Sequence, residues 1–122
     1  MNDPKILLTV CARGGSKTVK NKNIRLLGGK PLIAHTILQA KRWGKAARIV
    51  CSTDSEAIAL VAREYGAEVP FLRPGALAED GTPTAPVIQH AVEWLKDHDA
   101  WQPEAVMVLE PSMDDTVSIL RG

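Results

Sequence analysis

The chain has 122 residues, of which 45% are hydrophobic and 24% charged, and its formal net charge is +1. That balance excludes a disordered segment, and the near-neutral charge excludes a polycationic nucleic-acid-binding surface. The length suits one domain over residues 1–122, no apolar run is long enough to cross a bilayer, and the polar opening Asn2-Asp3-Pro4-Lys5 does not read as a signal peptide. Cys11 and Cys51 close strand-like runs with no zinc-type Cys/His spacing, so they read as free, buried thiols of a cytoplasmic protein.

Residues 5–11 are the first strand candidate, a short apolar run that opens into Ala12-Arg13-Gly14-Gly15-Ser16-Lys17. Residues 24–30 read as an irregular segment with a turn. Pro31 suits the first position of a helix whose apolar face is Leu32, Ile33, Thr36, Ile37 and Ala40, with Gly44 as its stop. Ile49-Val50-Cys51-Ser52 is a second buried strand. Thr53-Asp54-Ser55-Glu56 predicts a capping box, Thr53 capping and Glu56 reaching back, for a helix with Ile58, Val61, Ala62 and Tyr65 inward and Gly66 at its end. Residues 68–72 read as a short edge strand containing Pro70, and residues 73–83 as a loop. Thr82 marks the start of a helix with Val87, Ile88, Ala91, Val92 and Leu95 inward and Pro86 in its first turn. Ala105–Leu109 is a third buried strand, closed by Pro111.

Strands alternating with helices of this length predict an α/β, Rossmann-like fold with a mostly parallel sheet flanked by helices. Ligands of such sheets sit beyond the carboxyl ends of the strands, at a switch in strand order. The loops after Cys11, Ser52 and Leu109 therefore share one rim. On that rim the glycine pair allows close backbone approach, and Arg13, Lys17, Lys20 and Lys22 supply positive charge, a combination suited to a polyphosphate. Neither a Walker A run nor a G-x-G-x-x-G fingerprint is present.

These residues carry a resemblance. Ala12-Arg13-Gly14-Gly15-Ser16-Lys17, Lys22-Asn23-Ile24-Arg25 and Gly29-Lys30-Pro31-Leu32-Ile33 resemble the opening of the acylneuraminate cytidylyltransferases (CMP-sialic acid synthetases). Cys51-Ser52-Thr53-Asp54, Ala62–Val69, Phe71-Leu72-Arg73-Pro74 and Leu77-Ala78-Glu79-Asp80 keep that family's order and spacing, so the similarity runs roughly to Pro111. It implies a nucleotidyltransferase (GT-A-like) fold and transfer of CMP from CTP to a nonulosonic acid, with Mg2+ and release of pyrophosphate. It also implies that the chain corresponds to the family's N-terminal portion. The remainder ordinarily carries paired metal-binding aspartates, part of the sugar pocket and a dimerisation arm.

Carried over residue by residue, the resemblance makes Arg13 and Lys22 the catalytic candidates. Lys22 neutralises charge at the reacting phosphate or the leaving pyrophosphate, and Arg13 with Lys17 holds the triphosphate. Ala12, Gly14, Gly15, Ser16 and Asn23 complete the nucleotide site, while Arg73, Thr82 and Thr84 lie where the family recognises cytosine. Where the family places Leu-Gln-Pro-Thr-Ser-Pro-Leu-Arg, this chain reads Leu109-Glu110-Pro111-Ser112-Met113-Asp114-Asp115, which puts the carboxylate of Glu110 at the sugar position. The resemblance assigns no metal ligand within the chain, and the adjacent Asp114 and Asp115 read as a solvated pair. The expected partners are CTP and an acidic sugar, with no nucleic acid and no membrane, and a homo-oligomer is expected from the exposed edge of a shortened sheet. Two alternatives stand beside this reading: a non-catalytic nucleotide-binding module, and an enzyme activating another acidic sugar such as an octulosonate. His35, His90, His98, Trp94 and Trp101 read as structural, because none pairs with a nucleophile.

Overall fold

The first apolar run becomes β1 (Ile6–Cys11), the central strand of a parallel sheet. The computed structural model describes residues 4–12, 26–78 and 83–111. After β1 come a small hairpin, β2 (Leu26–Leu27) and β3 (Lys30–Pro31), then α1 (Leu32–Trp43), β4 (Arg48–Ser52) and α2 (Glu56–Glu64). A 3-10 turn at Gly75–Leu77 leads to α3 (Thr84–Asp99) and β5 (Ala105–Leu109). The sheet order is β4-β1-β5 with both pairings parallel, so Leu8 lies opposite Ile49 on one side and Met107 on the other.

Helices cover both faces of β1, which is why its interior residues Leu7, Leu8, Thr9 and Val10 are all buried and, Thr9 apart, apolar. Leu8, Val10 and Ala12 pack with Ile33 and Ile37 of α1 and with Ile58, Ala59 and Ala62 of α2. On the opposite face Leu7 and Val50 meet Leu95 of α3, bordered by Phe71, Trp94 and Trp101. The predicted face of α1 is buried throughout, while on α2 and α3 Ile58, Ala62, Val87, Ala91 and Leu95 are buried and Val61, Tyr65, Ile88 and Val92 are half-buried; Gly44 ends α1 in the left-handed conformation at φ 70°. Pro31 sits one position earlier than expected, at the N-cap with ψ 147°, because it is still paired with Leu26 in the hairpin. That hairpin replaces the expected irregular segment. Gly28 and Gly29 both take positive φ, 61° and 83°, as the tightest antiparallel connection requires. The Nε2–H of His35 on α1 donates to the Leu27 carbonyl and fastens the hairpin to the helix.

Three further expectations need correction. Helix α2 starts two residues later than the predicted capping box places it. Ser55 is its cap, accepting the Ile58 N–H at 3.2 Å, while Thr53 Oγ1 accepts the Ser55 N–H at 3.1 Å. Thr53 is unavailable as the cap because it is fully buried at the end of β4, with its carbonyl engaged by the Arg73 N–H at 2.7 Å. Residues 68–72 do not form a strand. Glu68 alone bridges β4, its N–H to Ile49 O and its carbonyl to Cys51 N–H, and Pro70 has no N–H with which to extend the ladder. Finally, β5 is exposed rather than buried: it is the edge strand of the described sheet, with Val106, Met107 and Val108 36–39% exposed. An open groove lies between it and α3, lined by Ile88, Val92, Val106 and Val108 and flanked by Glu93 and Lys96.

At the amino end of the sheet Arg48 joins three elements. Its guanidinium donates to Glu68 and, at 2.9 Å, to Asp99 at the end of α3, and it lies 5.2 Å from the Trp101 ring centroid. This clamp fixes the direction of α3: its last residue is at the amino end of the sheet, so Thr84 points back to the carboxyl rim. No helix among the described residues is long and apolar enough to cross a membrane.

Candidate functional site

Because β1, β4 and β5 are parallel and in register, Cys11, Ser52 and Leu109 end at one rim, followed by Ala12, Thr53 and Glu110. The chain passes from β1 to β4 on one side and then returns to place β5 on the other side of β1. The strand order therefore reverses between β1 and β5, and the crevice expected at such a reversal lies between Ala12 and Glu110.

Three predicted site residues, Ala12, Arg73 and Glu110, meet at this rim. Ala12 is 3% exposed, and its N–H donates to the Ser52 carbonyl at 3.0 Å. Arg73 is only 5% exposed. Its Nε donates to Ser52 Oγ at 3.1 Å, its Nη2 to Ser52 O at 2.6 Å and its Nη1 to Leu77 O at 3.3 Å. Glu110 is exposed at the mouth. Thr84 is exposed at the first position of α3. Arg13, Gly14, Gly15, Ser16, Lys17, Lys22, Asn23 and Thr82 lie outside the described residues, as do Asp114 and Asp115. Sequence reasoning missed Ser52 and Thr53, whose polar groups organise the rim. The available signal was a pair of hydroxyl residues closing an apolar strand, a placement that requires buried hydrogen-bond partners.

The electrostatics agree with this placement. Burial pushes the Cys11 thiol up to about 11, with Arg73 opposing and Glu110 adding to the shift, so Cys11 feels both charges. Burial likewise raises Cys51 to about 12, reinforced by Cys11 and opposed by Arg73. Burial lowers the His90 pKa, and the charge of Arg73 lowers it further, against Glu93. His90 packs edge-on to Phe71, while His98 stacks on Trp94 and pairs with its carbonyl, so both histidines have packing roles.

Both thiols are therefore protonated at neutral pH, as expected of structural rather than reactive cysteines. Their folded values exceed the ordinary 9.0, so the native state holds its protons more tightly than the unfolded chain. The associated stability is complete below about pH 9 and is lost as pH rises through about 11 to 12. Denaturant titrations at pH 8 and pH 10.5 are expected to show a lower midpoint at the higher pH, and the Cys11→Ala/Cys51→Ala double variant is expected to lose most of that difference.

Among the described residues no group of three or more His, Cys, Asp or Glu side chains converges as a metal cage. The rim presents a buried guanidinium, an exposed carboxylate and a hydrogen-bonded exit from β1.

Residues 7–98 match the family model described as cytidylyltransferase. The chain is 50% identical over 94 residues to the CMP-N,N'-diacetyllegionaminic acid synthase of Campylobacter jejuni, covering 77% of this chain and 40% of that protein. It is 37% identical over 97 residues to the N-acylneuraminate cytidylyltransferase of Escherichia coli, covering 80% of this chain and 23% of that one. In structure it is similar to a CMP:2-keto-3-deoxy-manno-octonic acid synthetase solved in complex with CTP, with a TM-score of 0.69 and 20% identity, over 97% of this chain and 46% of that one. The chain thus spans less than half the length of these relatives. The family model covers well over half of the chain, from the first buried strand to the end of α3, and the chain belongs to the cytidylyltransferase family.

Proposed function

We propose that this chain carries the CTP-binding part of a cytidylyltransferase that transfers CMP from CTP to a nonulosonic acid. The observation that carries the reading is the reversal of strand order between β1 and β5, which sets the exit toward the Gly14-Gly15 segment beside Arg73 and Glu110. The names of the relatives support the same substrate classes, nonulosonic acids of the legionaminic and neuraminic types.

In the proposed reaction the sugar hydroxyl oxygen attacks the α-phosphorus of CTP. The bond from that phosphorus to the bridging oxygen breaks, pyrophosphate leaves with the electron pair, and the hydroxyl proton is released. Charge builds on phosphate oxygens throughout, so catalysis consists mainly of positioning and fixed positive charge. Arg13, Lys17 and Lys22 supply that charge, and Arg73 adds a buried cation at the rim. Thr82 and Thr84 are the candidates for the base, together with Arg73. Glu110 faces the sugar, where its carboxylate would repel an acidic substrate unless a cation lies between them.

Magnesium suits this arrangement. It ordinarily takes one or two carboxylates together with substrate phosphates, so a dense protein cage is unnecessary, and Glu110, exposed after β5, would be one such carboxylate. When bound, the metal supplies charge neutralisation at the triphosphate. The two free thiols, Cys51 buried and Cys11 half-buried, support a reducing, cytoplasmic setting.

The test is incubation with CTP, magnesium and either N,N'-diacetyllegionaminic or N-acetylneuraminic acid, with pyrophosphate release and CTP binding measured in parallel. Binding with release supports the enzyme reading. Binding without release supports a nucleotide-binding module, and absence of binding overturns both. The exposed β5 edge supports self-association as well. It carries no proline or charge within Ala105–Leu109 to block pairing with a second copy. Light scattering is expected to give a mass above 13.2 kDa at high concentration, and a clean monomer contradicts this.

A further inference from the structure

The Ser52 carbonyl receives two donors from different parts of the chain. One is the N–H of Ala12, the residue at which the chain leaves β1. The other is the Arg73 guanidinium, which also holds Ser52 Oγ. The same guanidinium reaches Leu77 O, and the Arg73 backbone N–H is tied to Thr53 O. One buried side chain thus joins the exit of β1, the end of β4 and the turn before α3. Ser52 and Thr53 are fully buried and have no surface with which to meet a ligand. A planar fork with several donors suits such a node, whereas the ammonium of lysine does not.

We infer that Arg73 is a positioning residue, which through Ser52 sets the direction in which the chain leaves β1 at Ala12 and so aligns the nucleotide phosphates with the rim. This rests on the proposed CTP-binding role and deepens it, because the cytosine-facing position assigned by resemblance gives Arg73 no part in phosphate alignment. The hydrogen bonds that hold the guanidinium are all made within the chain. Its charge is then fixed at the rim before the ligand arrives, which removes part of the reorganisation cost of binding a polyphosphate.

Two variants separate geometry from charge. Ser52→Ala removes one acceptor of the guanidinium without touching the surface, and Arg73→Lys keeps the charge but loses the fork. The first readout is amide exchange of the ligand-free protein by NMR. Both variants are expected to speed exchange at the Ala12 amide by about tenfold, roughly the effect of losing one hydrogen bond to a charged group, with Leu8 and Val10 unchanged. Unaltered Ala12 exchange overturns the inference whether or not nucleotide binds.

The second readout is the affinity for CTP, CMP and UTP. Positioning of phosphates predicts that both variants weaken CTP by about tenfold, weaken CMP less and leave the preference for CTP over UTP intact. An equal loss for CTP and CMP, with the preference for CTP abolished, makes Arg73 a base contact and overturns the inference. If the unaltered protein binds no CTP, the proposed function fails, and the Ala12 exchange alone decides whether Arg73 orients the exit from β1.

Discussion

Lys22→Ala is expected to slow pyrophosphate release by about 10²–10³-fold, the loss seen when a single preorganised donor to developing oxyanion charge is removed. In sequence Lys22 follows the Gly14-Gly15 pair, among the cations Arg13, Lys17 and Lys20. Its role is assigned to charge that grows during the reaction, not to charge already present on CTP. The loss should therefore appear in kcat at saturating CTP, with a smaller change in nucleotide affinity. A rise in KM at constant kcat would instead make Lys22 a ground-state phosphate ligand. Circular dichroism and the denaturation midpoint should stay at the unaltered values, since the substitution removes no described core contact.

Ile37→Ala is expected to destabilise the protein by about 2–5 kcal/mol, the usual cost of truncating a buried aliphatic side chain. Ile37 is fully buried on the inner face of α1, in the cluster with Leu8 and Val10 of β1 and Ile58 and Ala62 of α2. It thus connects the central strand with two helices, and few atoms can close over the vacancy. Since domains of this size are stable by about 5–15 kcal/mol in all, the variant should lose a large share of its stability and unfold at a clearly lower urea concentration. Leu60→Ala on the exposed side of α2 provides the contrast. Leu60 is 68% exposed, and its loss should change stability by no more than about 0.5 kcal/mol. Urea titrations of the two variants measure the difference, and a similar midpoint for both would contradict the assigned core.

Much of this fold was legible in the residues because its signals are local. The spacing of Leu32, Ile33, Thr36, Ile37 and Ala40 fixes which face of α1 is inward, and Gly44 ends the helix where the chain needs a left-handed residue. The apolar run before Ala12 reads as a strand with both faces covered, and so it is. The failures came from tertiary context. Thr53 has the chemistry of a cap, but its burial and its bond to Arg73 leave that task to Ser55. Ala105–Leu109 reads as a buried strand by composition, yet burial depends on neighbours that composition does not specify, and among the described residues β5 has none on its outer side. At the site, resemblance carried Arg73 to the rim. The hydrogen bonds to Ser52 and Thr53 that hold it there join residues twenty or more positions apart, and no periodicity encodes them.

The hairpin of β2 and β3 has a consequence for ligand capture. The segment 13–25 leaves the sheet at Ala12, held by Ser52, and returns at Leu26, paired with Pro31, while His35 secures the neighbouring Leu27 to α1. Bringing the ends of a loop together costs chain entropy that grows with the logarithm of its length. Here both anchorages belong to the folded scaffold, so that entropy is surrendered when the protein folds and not when a nucleotide arrives. The proposed affinity for nucleotide should then depend on the integrity of a small turn, Gly28-Gly29, that contributes none of the predicted contacts.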